Sequence, residues 1–174
     1  MALINKVLPG YVATLWCQSG SNPTALTDTQ LETWTGQVAD IIGTTAGGTG
    51  TDGIQVPVES IPAFGADDAS ATYAVAGART GAKITTQNQV TSLTITSAWN
   101  PADTAQLLIR DDGYNGTTIR TFVIATYDGT DTVAYAFNAR VGGLQWDMSP
   151  SAEGKFTFVL HPVGGNSYGW SNNS

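Results

Sequence analysis

One cysteine, one histidine and seven basic residues in 174 positions leave this chain short of the groups that most chemistry uses. Cys17 has no second cysteine to pair with, so an intramolecular disulfide and a cysteine-based metal site are both excluded. A multi-histidine metal site needs more than His161, and Pro162 beside it places that imidazole at the end of a final strand, in a structural role. Charged residues make up 12% of the chain, about half the roughly 25% usual in soluble domains. The balance is acidic, with a net charge of −7. A chain that wraps nucleic acid needs Lys and Arg to displace counterions from phosphates, and this one lacks them; an acidic surface still lets DNA pass without gripping it. No apolar run approaches the ~20 residues of a membrane-spanning helix. The opening "MALINKVLPGYVATLWCQSG" imitates a signal peptide through Lys6 and a short apolar stretch. Pro9 and Gly10 interrupt it and Trp16-Cys17-Gln18 is a poor cleavage site, so it reads as mature sequence.

Five Trp, six Tyr and five Phe supply bulk for a core, and abundant Gly, Thr, Ser and Ala suit turns, strands and uncharged polar faces. The length fits one domain over 1–174. Residues 1–26 read as an arm containing one short strand, "YVATLWC". "TDTQLETWTGQVADIIG" offers a helix that Thr27 or Asp28 could cap, with a strand as the rival reading, because Gly36 and several Thr weaken the helix. Residues 43–71, Gly- and Thr-rich and then punctuated by Pro57 and Pro62, read as one long loop, an unusual length unless it serves a function. "AKITTQNQVTSLTITSAW" reads as a long strand with Leu93, Ile95 and Trp99 on one face and Ser92, Thr94 and Thr96 on the other.

"NPADTAQLLIRDDG" is signalled as a helix, with Asn100 as N-cap, Pro101 at the first helical position, Gly113 after the last turn, and Ala105, Leu107 and Leu108 as the buried stripe. "TIRTFVIATY" and "TVAYAFNARV", joined by "DGTD", form a hairpin. On its second strand Val133, Tyr135, Phe137 and Val141 share one face and Thr132, Ala134, Ala136, Asn138 and Arg140 the other. Gly142-Gly143 allow a bend, and "GKFTFVLHP" groups Phe156, Phe158 and Leu160. Residues 163–174 read as a loose C-terminal arm. The fold class is mainly β (α+β): a β-sandwich or curled antiparallel sheet with one flanking helix.

Chemistry is scarce in this frame. "GTGTDG" has dinucleotide-loop glycine spacing, but no strand precedes it and Pro57 follows where a helix should propagate. Asp67-Asp68 and Asp111-Asp112 are adjacent pairs that diverge on a strand or a helix. Asp111 and Asp112 also sit near a helix C-terminus, where the dipole disfavours them unless Arg110, Arg120 or a neighbouring subunit compensates. "DGTD" lacks the oxygen spacing of a calcium loop. Trp34, Trp99 and Trp146 fall in or beside regular segments as core residues, whereas Tyr168 and Trp170 in the tail raise a sugar-stacking platform as an alternative. No catalytic residue, metal site or cofactor is expected.

"SLTITSAWNPADTAQLLIRDDGYNGTTIRTFVI" followed by "AYAFNARVGGLQWDMSPSAEGKFTFVLHPVGG", with "IPAFGADD" before them, resembles the major tail tube proteins of long-tailed bacteriophages over roughly residues 60–165. The resemblance implies the tube fold also found in contractile-tail and secretion-system tubes: a sandwich whose sheets join between subunits into the barrel of hexameric rings, which stack into a tube that carries DNA into the host. It implies a lumen or subunit-seam face of Ser92, Thr94, Thr96, Thr132, Ala134, Ala136 and Asn138, on which Arg140 is the odd cation. It implies a ring-stacking loop around Gly47, Gly48, Thr49, Gly50, Thr51, Asp52, Gly53 and Ile54, and acidic turns at Asp128, Asp131, Asp147 and Glu153. The implied partners are further copies of the chain and other tail proteins (tape measure, terminator and distal-tail components), with no membrane. The implied location is the virion tail, after synthesis in the host cytoplasm. The alternative is a virion-surface or secreted β-sandwich module that binds carbohydrate or a receptor.

Overall fold

Alternation of apolar and polar residues along most strands builds this protein around one main antiparallel sheet. The structure, a computed structural model, describes residues 13–42, 52–73, 82–127, 132–150, 152–163 and 169–172. In chain order the elements are β1 (Thr14–Gln18), α1 (Asp28–Leu31), α2 (Ala39–Ile42), β2 (Gly53–Val56), β3 (Ala66–Tyr73), β4 (Ala82–Val90), β5 (Leu93–Ala98), α3 (Thr104–Asn115), β6 (Arg120–Tyr127), β7 (Thr132–Asp147), β8 (Lys155–Pro162) and β9 (Gly169–Asn172). Seven strands form one sheet in the order β2-β1-β6-β7-β8-β5, with β9 also paired to β7, while β3 and β4 pair only with each other. The expected hairpin is present, with Tyr127 opposite Thr132. The two runs that end the chain's regular part, β7 and β8, are neighbours.

Every second residue of the sheet enters one core: Leu15, Cys17, Phe122, Ile124, Phe137, Ala139, Val141, Phe156, Phe158, Leu160, Leu93 and Ile95, joined by Val56 and by Ala105 and Ile109 of α3. Val56 and Ile95 lie at opposite ends of the strand order yet share this core, so the sheet curls round it. Residues 57–65 span the gap, with Val58, Ile61 and Phe64 packed on the core. The Glu59 N–H donates to the Thr96 carbonyl at 3.0 Å, and Lys155 Nζ lies 3.0 Å from the Glu59 carboxylate.

A bulge between Gly142 and Gln145 adds one residue to β7. Gly143 takes φ 59° there, a conformation that favours glycine. The extra residue reverses the phase of the strand and turns Leu144 and Trp146 toward the core. Leu144 lies against Gly113, where a Cβ would come within 2.7 Å of it.

Several expectations are corrected. The long strand over residues 82–99 is two strands, and only β5 belongs to the main sheet. The long loop over 43–71 contains β2 and the start of β3. The segment after residue 27 is helical but kinked: Thr35 is extended and Gly36 takes φ 73°, separating α1 from α2. There is therefore a second helical layer besides the one expected helix. α3 begins after Asp103, whose Oδ1 accepts the Gln106 N–H at 2.9 Å, while Asn100 accepts the Ala102 N–H in the turn before it. The helix runs through Gly113 and stops at Gly116, φ 68°, the left-handed cap. Its buried stripe is Ala105, Gln106, Ile109 and Asp112, because the sheet below demands Asp112; Leu107 and Leu108 are only half-buried. The C-terminal arm contributes β9, which pairs with the start of β7.

Asp112 answers to Arg120, the largest fully buried side chain. Arg120 Nε donates to Asp112 Oδ2 at 2.6 Å and Nη2 to Oδ1 at 3.1 Å. Nη1 donates to the carbonyls of Gln18 and Gly20. One guanidinium thus ties α3, β6 and the end of β1 together. Removing one partner of a buried pair leaves the other charge uncompensated, at a cost of about 3–5 kcal/mol. Asp112→Asn is expected to lower unfolding stability by that amount in urea titration, whereas Asp111→Asn, on the exposed Arg110–Asp111 pair, is expected to change it by less than about 1 kcal/mol.

Candidate assembly surfaces

The two polar runs read as one face do lie on the same side of the curled sheet, opposite the core, but they meet different fates. On the β5–β8–β7 half, Ser92 and Thr94 are exposed and Thr96 is half-buried. Strand pairing sets Thr94 beside Val159 and Gly142, and Thr96 beside Thr157 and Gln145. Thr96 Oγ1 and Thr157 Oγ1 are 3.2 Å apart, and Ser92 Oγ lies 3.1 Å from His161 Nδ1, so the lone imidazole has a structural partner. Arg140, opposite His161, is exposed. Among the described residues no layer covers this half, a sheet face of small neutral groups and Val159 with Arg140 at one corner.

The other half is covered. Ala134 and Ala136 are 0% exposed and Thr132 1%. The two alanines pack with Trp16, Val123 and Ala125 beneath Leu31, Val38, Ile41 and Ile42 of the helical layer. Asn138 is half-buried; it accepts from Thr121 Oγ1 at 2.7 Å and donates to the Leu26 carbonyl at 2.7 Å, which anchors the chain entering that layer. Thr132, Ala134, Ala136 and Asn138 are therefore corrected from a surface lining to an internal seam. Small side chains let the α1–α2 layer approach the sheet closely, which alternation alone does not distinguish from a small polar surface.

Of the loop residues, Gly47, Gly48, Thr49, Gly50 and Thr51 lie outside the described residues, as do Asp128, Asp131, Tyr168 and residues 1–12. Asp52 is exposed, but its N–H donates to the Asp40 carbonyl and its carbonyl accepts the Ser19 N–H. Gly53 and Ile54 belong to β2, and a Cβ on Gly53 would collide with the Ile41 carbonyl. Asp147 and Glu153 are exposed at the two sides of the β7–β8 turn.

The edge of β5 is guarded at Thr96 and Ala98, where an open edge would otherwise invite pairing. Thr96 accepts from residue 59, and the Ala98 carbonyl accepts from Gln106 Nε2 at 2.7 Å. Gln106 is buried, also donates to Ser97 Oγ at 2.6 Å, and accepts the Asn100 N–H. A glutamine inside an apolar helix stripe was the one sequence signal for this bracket.

Sequence reasoning also missed a surface aromatic group. Tyr114, 72% exposed, stacks on Trp146 with centroids 6.3 Å apart, and Trp99 meets Trp146 edge-on at 5.9 Å. Met148, 56% exposed, adjoins them through Gly154 and Trp99. Trp99 and Trp146 do pack on the core, as read, but their outer flanks join Tyr114 and Met148 at the surface.

Chemically reactive groups are few here. Burial pushes the Cys17 thiol up to about 12, against the opposing pull of nearby Arg120, so it is a neutral core atom at neutral pH. Among the described residues no group of three His, Cys, Asp or Glu side chains could hold a metal ion.

Solved structures with this fold include a chain from the cryo-EM structure of an extracellular contractile injection system, PVC sheath/tube terminator in extended state. It matches with a TM-score of 0.59 at 12% identity, over 99% of this chain and 100% of that one. A chain of the anti-feeding prophage baseplate, from a six-fold symmetrised cryo-EM structure, matches with a TM-score of 0.53 at 13% identity, over 65% of this chain and 81% of that one. The chain has a phage-tail-like fold. No protein-family model and no curated protein sequence matches it.

Two measurements test this division of the surface. Ala136→Leu is expected to destabilise the fold by about 1–3 kcal/mol through overpacking, while Thr94→Ser is expected to stay within about 0.5 kcal/mol, both read by denaturant unfolding. The folded thiol titrates higher than the unfolded one, so the Cys17 term supports the fold fully below pH 9 and is lost as pH rises from 9.0 toward about 12. Iodoacetamide at pH 8 is accordingly expected to label Cys17 only as fast as the protein unfolds.

Proposed function

We propose that this chain is a structural, non-enzymatic subunit of a phage tail or tail-like particle, that six copies close into a ring, and that stacked rings form a tube through which DNA passes. The observation that carries this reading is the bare half of the outer sheet face. Antiparallel sheets commonly leave one face to solvent, and on this one Ser92, Thr94, Thr96, Gln145 and Thr157 present neutral polar groups with no carboxylate among them. Such a surface suits the wall of a channel, because small neutral groups neither bind phosphates nor stick to bases. In this reading Ser92, Thr94, Thr96, Thr157 and Gln145 line the passage, and Arg140 and His161 sit at its rim. The net charge of −7 disfavours tight binding of DNA to the chain as a whole.

Two further features support assembly. β3 and β4 form a two-stranded sheet with no extensive contact to other described elements, and an isolated strand pair is marginal in water without something to pack on. The phage-tail-like fold is shared with proteins of contractile particles. A second reading, a ring that ends a tube instead of extending it, is favoured by the end-to-end match with the sheath/tube terminator. In either case the partners are other copies of the chain and neighbouring tail proteins, and the location is the particle.

Sedimentation and negative-stain electron microscopy of the purified, concentrated protein test the reading. Hollow tubes with a six-fold ring repeat are expected for a tube subunit, and rings that do not stack for a terminator. A chain that stays monomeric at every concentration and whose tryptophan fluorescence is quenched by oligosaccharides would instead be the surface binding module.

A further inference from the structure

We infer that Arg140 of one copy seats on the Tyr114–Trp146–Asp147 patch of a second copy; this rests on the ring-forming reading above. The patch has the composition of an interface centre, with aromatic residues and a methionine exposed together. Tyr114 and Met148 are two of the three large hydrophobics exposed among the described residues. Stacking holds Trp146 between Tyr114 and the buried Phe156. The rim is acidic: Asp147 and Glu153 are exposed beside it, and among the described side chains no cation pairs with either. Lys155 stands opposite Asp147 in the strand register, but its ammonium lies on Glu59 at 3.0 Å. Asp111, one turn before Tyr114, is matched by Arg110 at 2.7 Å.

A ring face beside unpaired carboxylates selects a guanidinium, whose plane stacks on the ring while its N–H fork engages the carboxylate. This chain has few cations to offer. Among the described side chains, Arg110, Lys155 and Arg120 each hold a carboxylate of their own subunit. Arg140 is exposed and holds none. Its placement also fits. Strand β8 pairs His161 with Arg140 and Lys155 with Asp147, and both pairs lie on the face opposite the buried Phe156, Phe158 and Leu160. Arg140 and Asp147 therefore bound the uncovered half-face at its two ends. An odd number of positions separates them, so a regular strand would put them on opposite faces; the bulge between Gly142 and Gln145 brings them to the same one. A second copy displaced along β8 without turning over sets its Arg140 end against the acidic and aromatic end of the first. Asp28, Glu32 and Asp52 are exposed too, but on or beside the helical layer that covers the other half of the sheet. The contact joins two different surfaces of the chain, so it repeats head to tail and closes as a ring or runs on as a filament.

Charge reversal tests this with the whole chain. One variant carries Arg140→Glu and a second carries Asp147→Lys with Glu153→Lys. All three sites are exposed, and circular dichroism and thermal unfolding are expected to match the parent. In sedimentation velocity each variant alone is expected to assemble at least tenfold more weakly than the parent, because like charges then face each other. An equimolar mixture is expected to recover assembly, since every junction in an alternating array pairs opposite charges. Tyr114→Ala is expected to weaken the parent and the mixture alike. If the parent assembles and any of these variants alone assembles as well as it does, or if the mixture of folded variants fails to recover, the docking inference is overturned while the ring reading stands. Oligosaccharides that quench the parent's tryptophan fluorescence, and lose that effect in Tyr114→Ala, would make the patch a sugar site and overturn the inference as well. If the parent itself never assembles, the ring reading falls and takes the inference with it.

Discussion

The buried ion pair between Arg120 and Asp112 fixes the geometry on which the rest of this molecule depends. Arg120 opens β6, the strand at the centre of the main sheet, and it can be neutralised only if α3 lies across the sheet with Asp112 facing inward. Its remaining donors hold the carbonyls that follow β1, so the same guanidinium sets where the chain turns toward the helical layer. Desolvating such a pair is costly, and replacing both partners with apolar groups is often neutral. Here that replacement would leave the Gln18 and Gly20 carbonyls without their donor. The pair therefore specifies one arrangement of α3, β1 and β6 more than it adds stability.

A curled sheet with one core has two outer half-faces, and this chain treats them differently. Small residues on β6 and β7 accept the α1–α2 layer, and Asn138 and Thr121 tie the chain to it through Leu26. Threonine and glutamine on β5, β8 and the far half of β7 accept no covering layer among the described residues. Along β7 the change falls between half-buried Asn138 and exposed Arg140, and the bulge at Gly143 then keeps Trp146 with the core after the strand has changed phase. In the proposed ring this asymmetry separates an inside from an outside.

Much of this was legible in the sequence because alternation is a local signal. Leu93 and Ile95, Phe156 to Leu160, and Phe137 with Val141 announced which face is buried, and Asp-Gly announced the hairpin. Arg120 is among the groups the sequence offers to compensate Asp111 and Asp112, and it is the one that pairs with Asp112. What stayed hidden was decided at long range. Thr132, Ala134 and Ala136 look like a small polar surface until a helical layer from a hundred residues earlier covers them. Asn100 competes with Asp103 as helix cap, and only the Gln106 contacts choose between them. The split between β4 and β5 follows from pairing partners, β3 for one and β8 for the other, which no residue between them announces. Tyr114 joins Trp146 across α3 and β7 only once the bulge has turned Trp146 inward.

The most direct test of the account is a cryo-EM reconstruction of the assembled oligomer that resolves which way the sheet faces. The account predicts Thr94, Thr96, Thr157 and Gln145 toward the axis and the α1–α2 layer away from it. A reconstruction with the α1–α2 layer at the axis, or with the bare half-face buried against another protein, would contradict it.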